Sequence, residues 1–532
     1  MANQVHNFLV RSRTWLVVSI ILLIIGINFA SISSYPPPTC DETSYGSTAI
    51  SFLEKGEFGW ATFSEGDYIG RNINLFRQGR IYTFGLAGLF AILGKTLWVG
   101  RLYSVFGWGL AGYLTYFLGR RLYNAHVGLF AALAFLTSTK AFLTSHIVRP
   151  DIWLLAINLL TLCLFLKLAA INHLVAPLTA GIFSLLPLDI HGHGAAFLPA
   201  FIFLYIYLEL PLKNYQRLFV YFLGLVLGSI IWISLHLWPS ITIAIYQMRE
   251  AIGFTIFSSQ NLPTSEVLIR NLTSLVKFFG DAYWVAGGLL GLAELGLGTF
   301  GLAFALIHRN SSDVIMATII GVPFFFFTII FSQRFSNYGI LWSPLLYLVG
   351  FGAAERLTNH LTHIKKFSFL EVSIVLASSL VILLNLAGNF WLTYRYRENN
   401  FDKMNQTIQT IIPAGARVLG DQNWWWILRD VNAVIPDEYF LYPLPYENDP
   451  TLNAEGRVKD YIAYFHPNYI LIDSSIACAM DAGGPGWTEL DDFTKNECKV
   501  VGTIDGAWWG DLGKSTNIVG QRTTIYQCDT HS

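Results

Sequence analysis

Apolar runs of about 20 residues recur along the first three-quarters of the chain, and each is long enough to carry a helix across a ~30 Å hydrocarbon layer. They predict membrane spans at roughly 14–34, 98–119, 126–146, 152–170, 174–190, 194–210, 216–238, 284–307, 313–332, 338–356 and 368–391. The run 81–95 (IYTFGLAGLFAILGK) is shorter. It lies along the surface or re-enters the bilayer, and so adds or removes a span. Between the first span and this run stands a polar and aromatic loop, 35–80. It has about 45 residues, where most connections need ~2–8. Ordered loops of that length are more often functional than idle. Beyond 395 the pattern changes. Short β-rich runs (ARVLG 416–420, NYILID 468–473, CKVVGTI 498–504, TTIYQC 523–528) alternate with helical stretches (DKMNQTIQTII 402–412, RVKDYIAYF 457–465). The predicted fold class is a polytopic α-helical membrane protein of about 11 transmembrane helices, residues 1–394, followed by a small α/β domain, residues 395–532.

Charge gives these spans a direction. Arg11/Arg13, Arg120/Arg121, Lys167, Lys213/Arg217, His308/Arg309 and Lys365/Lys366 fall at alternate span ends. The positive-inside rule makes those ends cytoplasmic. The loop 35–80, the turns near 146–151 and 189–194, the stretches 239–283 and 333–338, and everything after Trp391 then face outward. Arg11 and Arg13 precede the apolar run 15–30, and no small-residue cleavage motif follows, which predicts a retained signal anchor. A plasma-membrane, multi-pass protein with a cytoplasmic N-terminus and an extracytoplasmic C-terminal domain is expected. Composition agrees. Only 13% of residues are charged and 53% are hydrophobic, with mean hydropathy +0.47; soluble domains carry about 25% charged residues. A net charge of −1 argues against a nucleic-acid partner. Cys163 lies in an apolar run and reads as a buried small hydrophobe, whereas Cys40, Cys478, Cys498 and Cys528 lie in polar segments and allow three disulfide pairings. None has CxxC spacing.

The outward ends carry the candidate chemistry. Asp41-Glu42 follows the Pro36-Pro37-Pro38 punctuation, Arg149 and Asp151 lie in HIVRPD, Asp189, His191 and His193 in DIHGHG, and Arg334 in SQRFSNY. Arg71, Arg77 and Arg80 close the long loop. Ionisable groups at such depths usually face a cavity or a partner. A carboxylate serves as general base on an acceptor hydroxyl or amine, and arginines hold a phosphate by bidentate hydrogen bonds. Each has a plainer alternative. Asp151 suits a helix N-terminus, Arg149 and Arg334 suit snorkelling to headgroups, and Asp41-Glu42 suits any solvated loop. Asp189, His191 and His193 form a candidate divalent-metal set, because i and i+2 share a face of an extended segment, although an interfacial histidine is the simpler expectation. Trp424–Trp426 and Trp508-Trp509 suit either sugar stacking or, more simply, a domain core. No phosphate-cradling Gly loop with Lys is present, so no nucleotide cofactor is expected.

The sequence CDETSYGSTAISFLEKGEF after the first span, the block GRIYTFGLAGLFAILGKTLWVGRLYSVFGWGLAGYLTYFLGRRLY and the outer-turn RPD together resemble the GT-C membrane glycosyltransferases. The branch is the one containing protein O-mannosyltransferases and lipid A aminoarabinose transferases. The resemblance covers roughly 10–240 well and later helices loosely, through RFSNYGILWSPLLYL. It implies an inverting transfer from a polyprenyl-phosphate sugar to an extracytoplasmic lipid, glycan or protein acceptor. By the same resemblance Asp41 is the base, with Glu42 beside it, and Asp151 lies near the same site. A basic residue near the end of the first loop, Arg77 or Arg80, would then meet the donor phosphate; from their charge and place, Arg149 and Arg334 are expected to neutralise it too. The HGHG motif is not carried over from the family. The C-terminal part resembles the extracytoplasmic domains of some bacterial members. The competing expectation is a transporter or flippase of lipid-linked sugars, which would need charges along a path through the bilayer midplane and, commonly, paired halves. A third, an anchored binding protein, leaves ten extra spans without a purpose.

Overall fold

The computed structural model describes residues 2–36, 38–63, 73–75, 78–245, 247, 273–285, 288–330, 336–362, 368–397, 401–436, 458–473, 476, 487–505 and 522–528. The first apolar run forms α1 (Ala2–Ser31). The long polar loop is not loop throughout, because its first third is helix α2 (Cys40–Lys55). Glu42, at the third helical position, accepts the N–H of Thr39 at 2.9 Å, and Gly56 ends the helix in a left-handed conformation, φ +73°. The short apolar run forms α3 (Arg80–Leu93), whose 14 residues rise only about 21 Å, too little to span.

Next come α4 (Leu97–Leu122) and a broken pair, α5 (Ala125–Thr137) and α6 (Thr139–Ser145), bent by 61° at Ser138. The expected single span 126–146 is therefore two pieces. Ser138 makes the break stable, since its hydroxyl accepts the N–H of Ala141 and caps α6. Below the break, Lys140 donates to Glu294 at 3.1 Å and sits 3.4 Å over the ring of Tyr283, while Tyr347 donates to the other Glu294 oxygen at 3.2 Å. Both charges are buried, so each is held by its partner.

Further helices are α7 (Asp151–Ala169), α8 (Val175–Phe183), α9 (Leu186–Ile190), α10 (Leu198–Glu209), α11 (Tyr215–His236), α12 (Gly288–His308), α13 (Ser311–Ile330), α14 (Ser343–Thr362) and α15 (Ser368–Arg395). Small residues let them close up. Gly119 of α4 lies so near Gly128 of α5 that a Cβ would meet its Cα at 2.5 Å. Among the described residues, five helical segments are long and apolar enough to cross a membrane, six with the bent pair, and four more apolar helices are shorter. The architecture is that of a multi-pass membrane protein.

After Arg395 comes α16 (Phe401–Ile411) and then a five-stranded sheet of order β2-β1-β3-β5-β4: β1 (Arg417–Gly420), β2 (Ala433–Pro436), β3 (Tyr469–Ile472), β4 (Cys498–Asp505) and β5 (Arg522–Cys528). β1 is parallel to β2 and β3, whereas β5 is antiparallel to β3 and β4. Side chains alternate faces along each strand. Val418, Val434, Tyr469 and Leu471 join the core that runs on into the membrane helices. Leu419, Ile435, Ile470 and Ile472 form a second core, with Ile462 and Phe465 of α17 (Val458–Phe465) and Leu490 of α18 (Trp487–Glu497). Cys498 and Cys528 face each other across β4 and β5 and are disulfide-bonded, and Cys163 is buried and free, as expected. Cys478 and Trp508-Trp509 lie outside the described residues.

The segment 422–429, between β1 and β2, rests on α2. Thr43 donates to Asn423 at 3.2 Å, Ser44 donates to Gln422 at 3.5 Å, and Gly46 faces Trp426 so closely that a Cβ would lie 2.2 Å from the indole. Arg429 donates to the carbonyl of Lys95 at 2.6 Å. Trp424, Trp425 and Trp426 are all buried here, so the tryptophan run is core and not a sugar platform.

Candidate active site

Asp41 and Glu42 sit in the first turn of α2, where carboxylates favour the helix dipole. They point different ways. Glu42 is fully buried. Its Oε1 accepts from Arg101 Nε at 2.9 Å and from the N–H of Val148 at 3.0 Å, and its Oε2 accepts from Arg101 Nη2 at 3.0 Å and from Thr39. Arg101 also donates to the carbonyl of Ile32 at 3.1 Å. This bidentate pair pins the end of α1, the start of α2 and the turn 146–150 together. It occupies the Glu42 carboxylate, so of the two adjacent acids Asp41 is the one left partly exposed. Arg101 was missed in the sequence. Its signal was a lone arginine in the apolar run LWVGRLYSV, the kind of charge that needs a named partner.

Asp41 is the outward member, its side chain 44% exposed. Arg149 reaches it with Nη1 and reaches Asp151 Oδ2 with Nε at 2.7 Å. One buried guanidinium thus joins the acid at the start of α2 to the acid at the start of α7, 108 residues apart for the Asp41 pair. Asp151 starts α7 and is fully buried, and its second oxygen, Oδ1, has no hydrogen-bond partner among the described residues. Tyr82 lies near both Asp151 and Glu42, and its hydroxyl is likewise buried without a hydrogen bond among the described residues.

Arg80 stands in a separate groove of about 320 Å³, with Phe58, Asn74, Phe84 and Leu235 among its walls. The guanidinium lies 3.6 Å over the Phe58 ring and donates from Nη2 to Asn74 at 2.9 Å, while Nη1 is buried with no partner among the described residues. Gln78 ties this groove to α2, since Thr48 donates to its Oε1 at 2.9 Å. Arg77 and Arg334 lie outside the described residues.

The candidate metal set does not come together. Asp189 turns to His236 and accepts the N–H of Ile81 at 3.0 Å, capping the first turn of α3. That position is fixed by Gly79, where a Cβ would lie 1.8 Å from the Asp189 carbonyl oxygen. His191 and His193 instead stack on one another, 4.5 Å between ring centroids, with their Nδ1 atoms 2.7 Å apart. Among the described residues no group of three or more His, Cys, Asp or Glu is arranged to hold a metal.

At the other end of α7, about 28 Å away by helical rise, Arg217 donates to the carbonyls of Ile171 and Ala169 and to Glu209, and Arg121 donates to the carbonyl of Leu166. The basic ends and the acidic ends of the helices are thus separate.

No protein-family model matches the chain, and no curated protein matches it. Solved structures do. The ArnT of Cupriavidus metallidurans bound to undecaprenyl phosphate superposes with a TM-score of 0.57 at 13% identity, covering 96% of this chain and 98% of that one. Its apo state gives 0.55, again at 13% identity, with 97% and 98% covered. The Archaeoglobus fulgidus oligosaccharyltransferase tethered to an acceptor peptide gives 0.53 at 12% identity, covering 89% of this chain and 72% of that one. At these identities the likeness carries the fold alone: the chain folds as ArnT and the archaeal oligosaccharyltransferase do, the architecture that the sequence resemblance implied.

Proposed function

We propose that the protein is a membrane glycosyltransferase that moves a sugar from a polyprenyl-phosphate donor to an extracytoplasmic acceptor. The observation that carries this is the half-exposed Asp41 carboxylate, joined through Arg149 to Asp151 at one end of the helices. In this reaction Asp41 takes the proton of the acceptor hydroxyl or amine. The acceptor atom attacks the anomeric carbon from the face opposite the phosphate. The carbon–oxygen bond to phosphate breaks, its electron pair stays on the phosphate oxygen, and the configuration inverts. Polyprenyl phosphate is the leaving group. Arg80 suits that phosphate, since its groove has exposed apolar walls for a lipid tail and its Nη1 is a buried donor with no acceptor among the described residues. Glu42 and Asp151 act as positioning residues, Glu42 through Arg101 and Asp151 through Arg149. ArnT was solved with undecaprenyl phosphate, and the archaeal enzyme with a peptide. The donor class follows the first, while the acceptor stays open among lipid, glycan and protein.

We place residues 1–394 as the membrane module and 395–532 as an extracytoplasmic domain, with the N-terminus cytoplasmic in a plasma membrane. The Cys498–Cys528 disulfide supports an oxidising side for the sheet. The basic cluster near Ala169 supports a cytoplasmic face at the far end of α7. The flippase reading is disfavoured because the Asp41–Arg149–Asp151 chain gathers at the outer helix ends and does not line a path across the midplane. The test is Asp41→Asn in liposomes with a labelled polyprenyl-phosphate sugar. Transfer is expected to fall by about 10²–10⁴-fold with donor binding retained. Unchanged transfer would remove Asp41 as the base, and wild-type lipid movement without transfer would favour the flippase.

A further inference from the structure

Asn74 stands beside Arg80 in the wall of the groove described above, and its backbone fixes it there. Phe58 and Asn74 pair as a short parallel bridge, the N–H of Leu75 donates to the carbonyl of Phe58 at 2.8 Å, and Gln247 donates to the carbonyl of Asn74 at 2.5 Å. Both side chains are buried, Asn74 being 5% and Arg80 6% exposed. Arg80 Nη2 donates to Asn74 Oδ1 at 2.9 Å and to the carbonyl of Leu235 at 3.4 Å. A guanidinium has only donors, so it decides which end of the amide faces it. The amide oxygen turns to Arg80 and the NH₂ turns away. Asn74 Nδ2 is buried without a hydrogen-bond partner among the described residues, as is Arg80 Nη1.

One groove thus holds two buried donors with no acceptor, a state that folded proteins keep rare. The positive charge has no carboxylate of its own either. Asp189, the acid whose charge reaches Arg80, is taken up by His236 and by the N–H of Ile81. Glu57, also in the wall, makes no ion pair with Arg80 among the described residues. The missing group is therefore an acceptor with negative charge. A sugar hydroxyl both gives and takes hydrogen bonds and an ammonium only gives, whereas an oxyanion only takes. Ile73, Phe84 and Leu235 of the same walls are 46%, 50% and 55% exposed, so the anion would have apolar neighbours. A phosphate on a lipid tail has both features.

We propose that Asn74 is a second ligand of the lipid phosphate. Arg80 Nη1 meets one phosphate oxygen, Asn74 Nδ2 meets another, and together they select the charged lipid over its neutral alcohol. The proposal rests on the glycosyltransferase reading and gives Arg80 a partner that carries no charge.

The test measures binding of undecaprenyl phosphate, of undecaprenol and of inorganic phosphate to the full-length protein in nanodiscs. Wild type is expected to prefer undecaprenyl phosphate to undecaprenol, and to bind inorganic phosphate more weakly than the charged lipid. Asn74→Leu removes the donor at similar volume. It is expected to cut undecaprenyl phosphate affinity about tenfold and to leave undecaprenol affinity unchanged. Asn74→Asp keeps the oxygen that Arg80 meets and turns the NH₂ into a charged acceptor, so its loss should be larger. Variants that bind undecaprenyl phosphate as wild type does overturn Asn74 as a ligand and leave the glycosyltransferase reading intact. Equal losses for both lipids would make Asn74 a structural residue and overturn it as well. Inorganic phosphate bound as tightly as the charged lipid overturns the lipid as the occupant. Wild type that does not tell undecaprenyl phosphate from undecaprenol overturns the phosphate seat together with the reading it rests on.

Discussion

Asp41 and Glu42 leave the axis of α2 about 100° apart, because consecutive helical residues are separated by that angle. One turns to the open side and the other to Arg101 in the interior. The sequence displays both acids equally, and burial alone separates them. Removing one partner of a buried pair leaves an uncompensated charge and typically costs about 3–5 kcal/mol. Glu42→Ala is therefore expected to lower the midpoint of thermal unfolding in detergent strongly. Asp41→Asn should shift it by only a degree or two, since its side chain is partly solvated. Equal shifts for the two would show that Glu42 is not a structural pin. Asp421, at the end of β1, is a second buried acid; burial lifts its pKa to about 6 from 3.8, against the opposing hydrogen bond from the Asn423 N–H. A folded pKa above the unfolded one gives stability that is full below about pH 3.8 and lost as pH rises through about 6. The loss is at most about 3 kcal/mol. Asp421→Asn should accordingly stabilise the protein at pH 7.5 and not at pH 4, read as unfolding midpoints at the two values. A mutant less stable at both would mean that the carboxylate is needed in its charged form.

At the scale of elements, the apolar runs and the β-rich tail were legible because period and length report burial directly. Strands 417–420, 469–472, 498–505 and 522–528 lie where the sequence pattern puts them. The strand Ala433–Pro436 was not foreseen, being four residues ending in proline. The helix α2 was not foreseen either, although Thr39 and Glu42 stand at capping-box spacing and Gly56 marks its end. The polarity of the stretch masked it, for α2 buries small and hydroxylated residues against other polar groups. Gly46 is the clearest case. A larger residue there must displace Trp426, and overpacking of this kind costs about 1–3 kcal/mol. Gly46→Leu is expected to loosen the contact of 422–429 with α2, seen as faster proteolysis of the C-terminal part at an unchanged membrane core. Unaltered proteolysis would mean that the indole has somewhere else to go.

Across the whole molecule, the pairing of distant turns is what a single sequence does not display. Asp41 with Arg149, Thr43 with Asn423 and Arg101 with Glu42 are all long-range contacts, set by packing and not by local pattern. The sheet adds one of its faces to the core of the membrane helices, through Val418, Leu471 and Ile525, so the two parts share apolar surface. A chain ended after Arg397 is expected to lose transfer and to unfold at a lower temperature, because α2 then loses the cover of 422–429. Transfer retained by that shorter chain would show that the helical part is self-sufficient.

Thr43 and Asn423 are 380 residues apart, so the segment that closes over α2 is made long after it. Chains emerge from synthesis N-terminus first. The helix bearing Asp41 is thus laid down early and receives its cover late. Until 422–429 has been made, the helix that bears Asp41 lacks that cover. A chain interrupted before residue 422 lacks the contact that the full chain makes with α2.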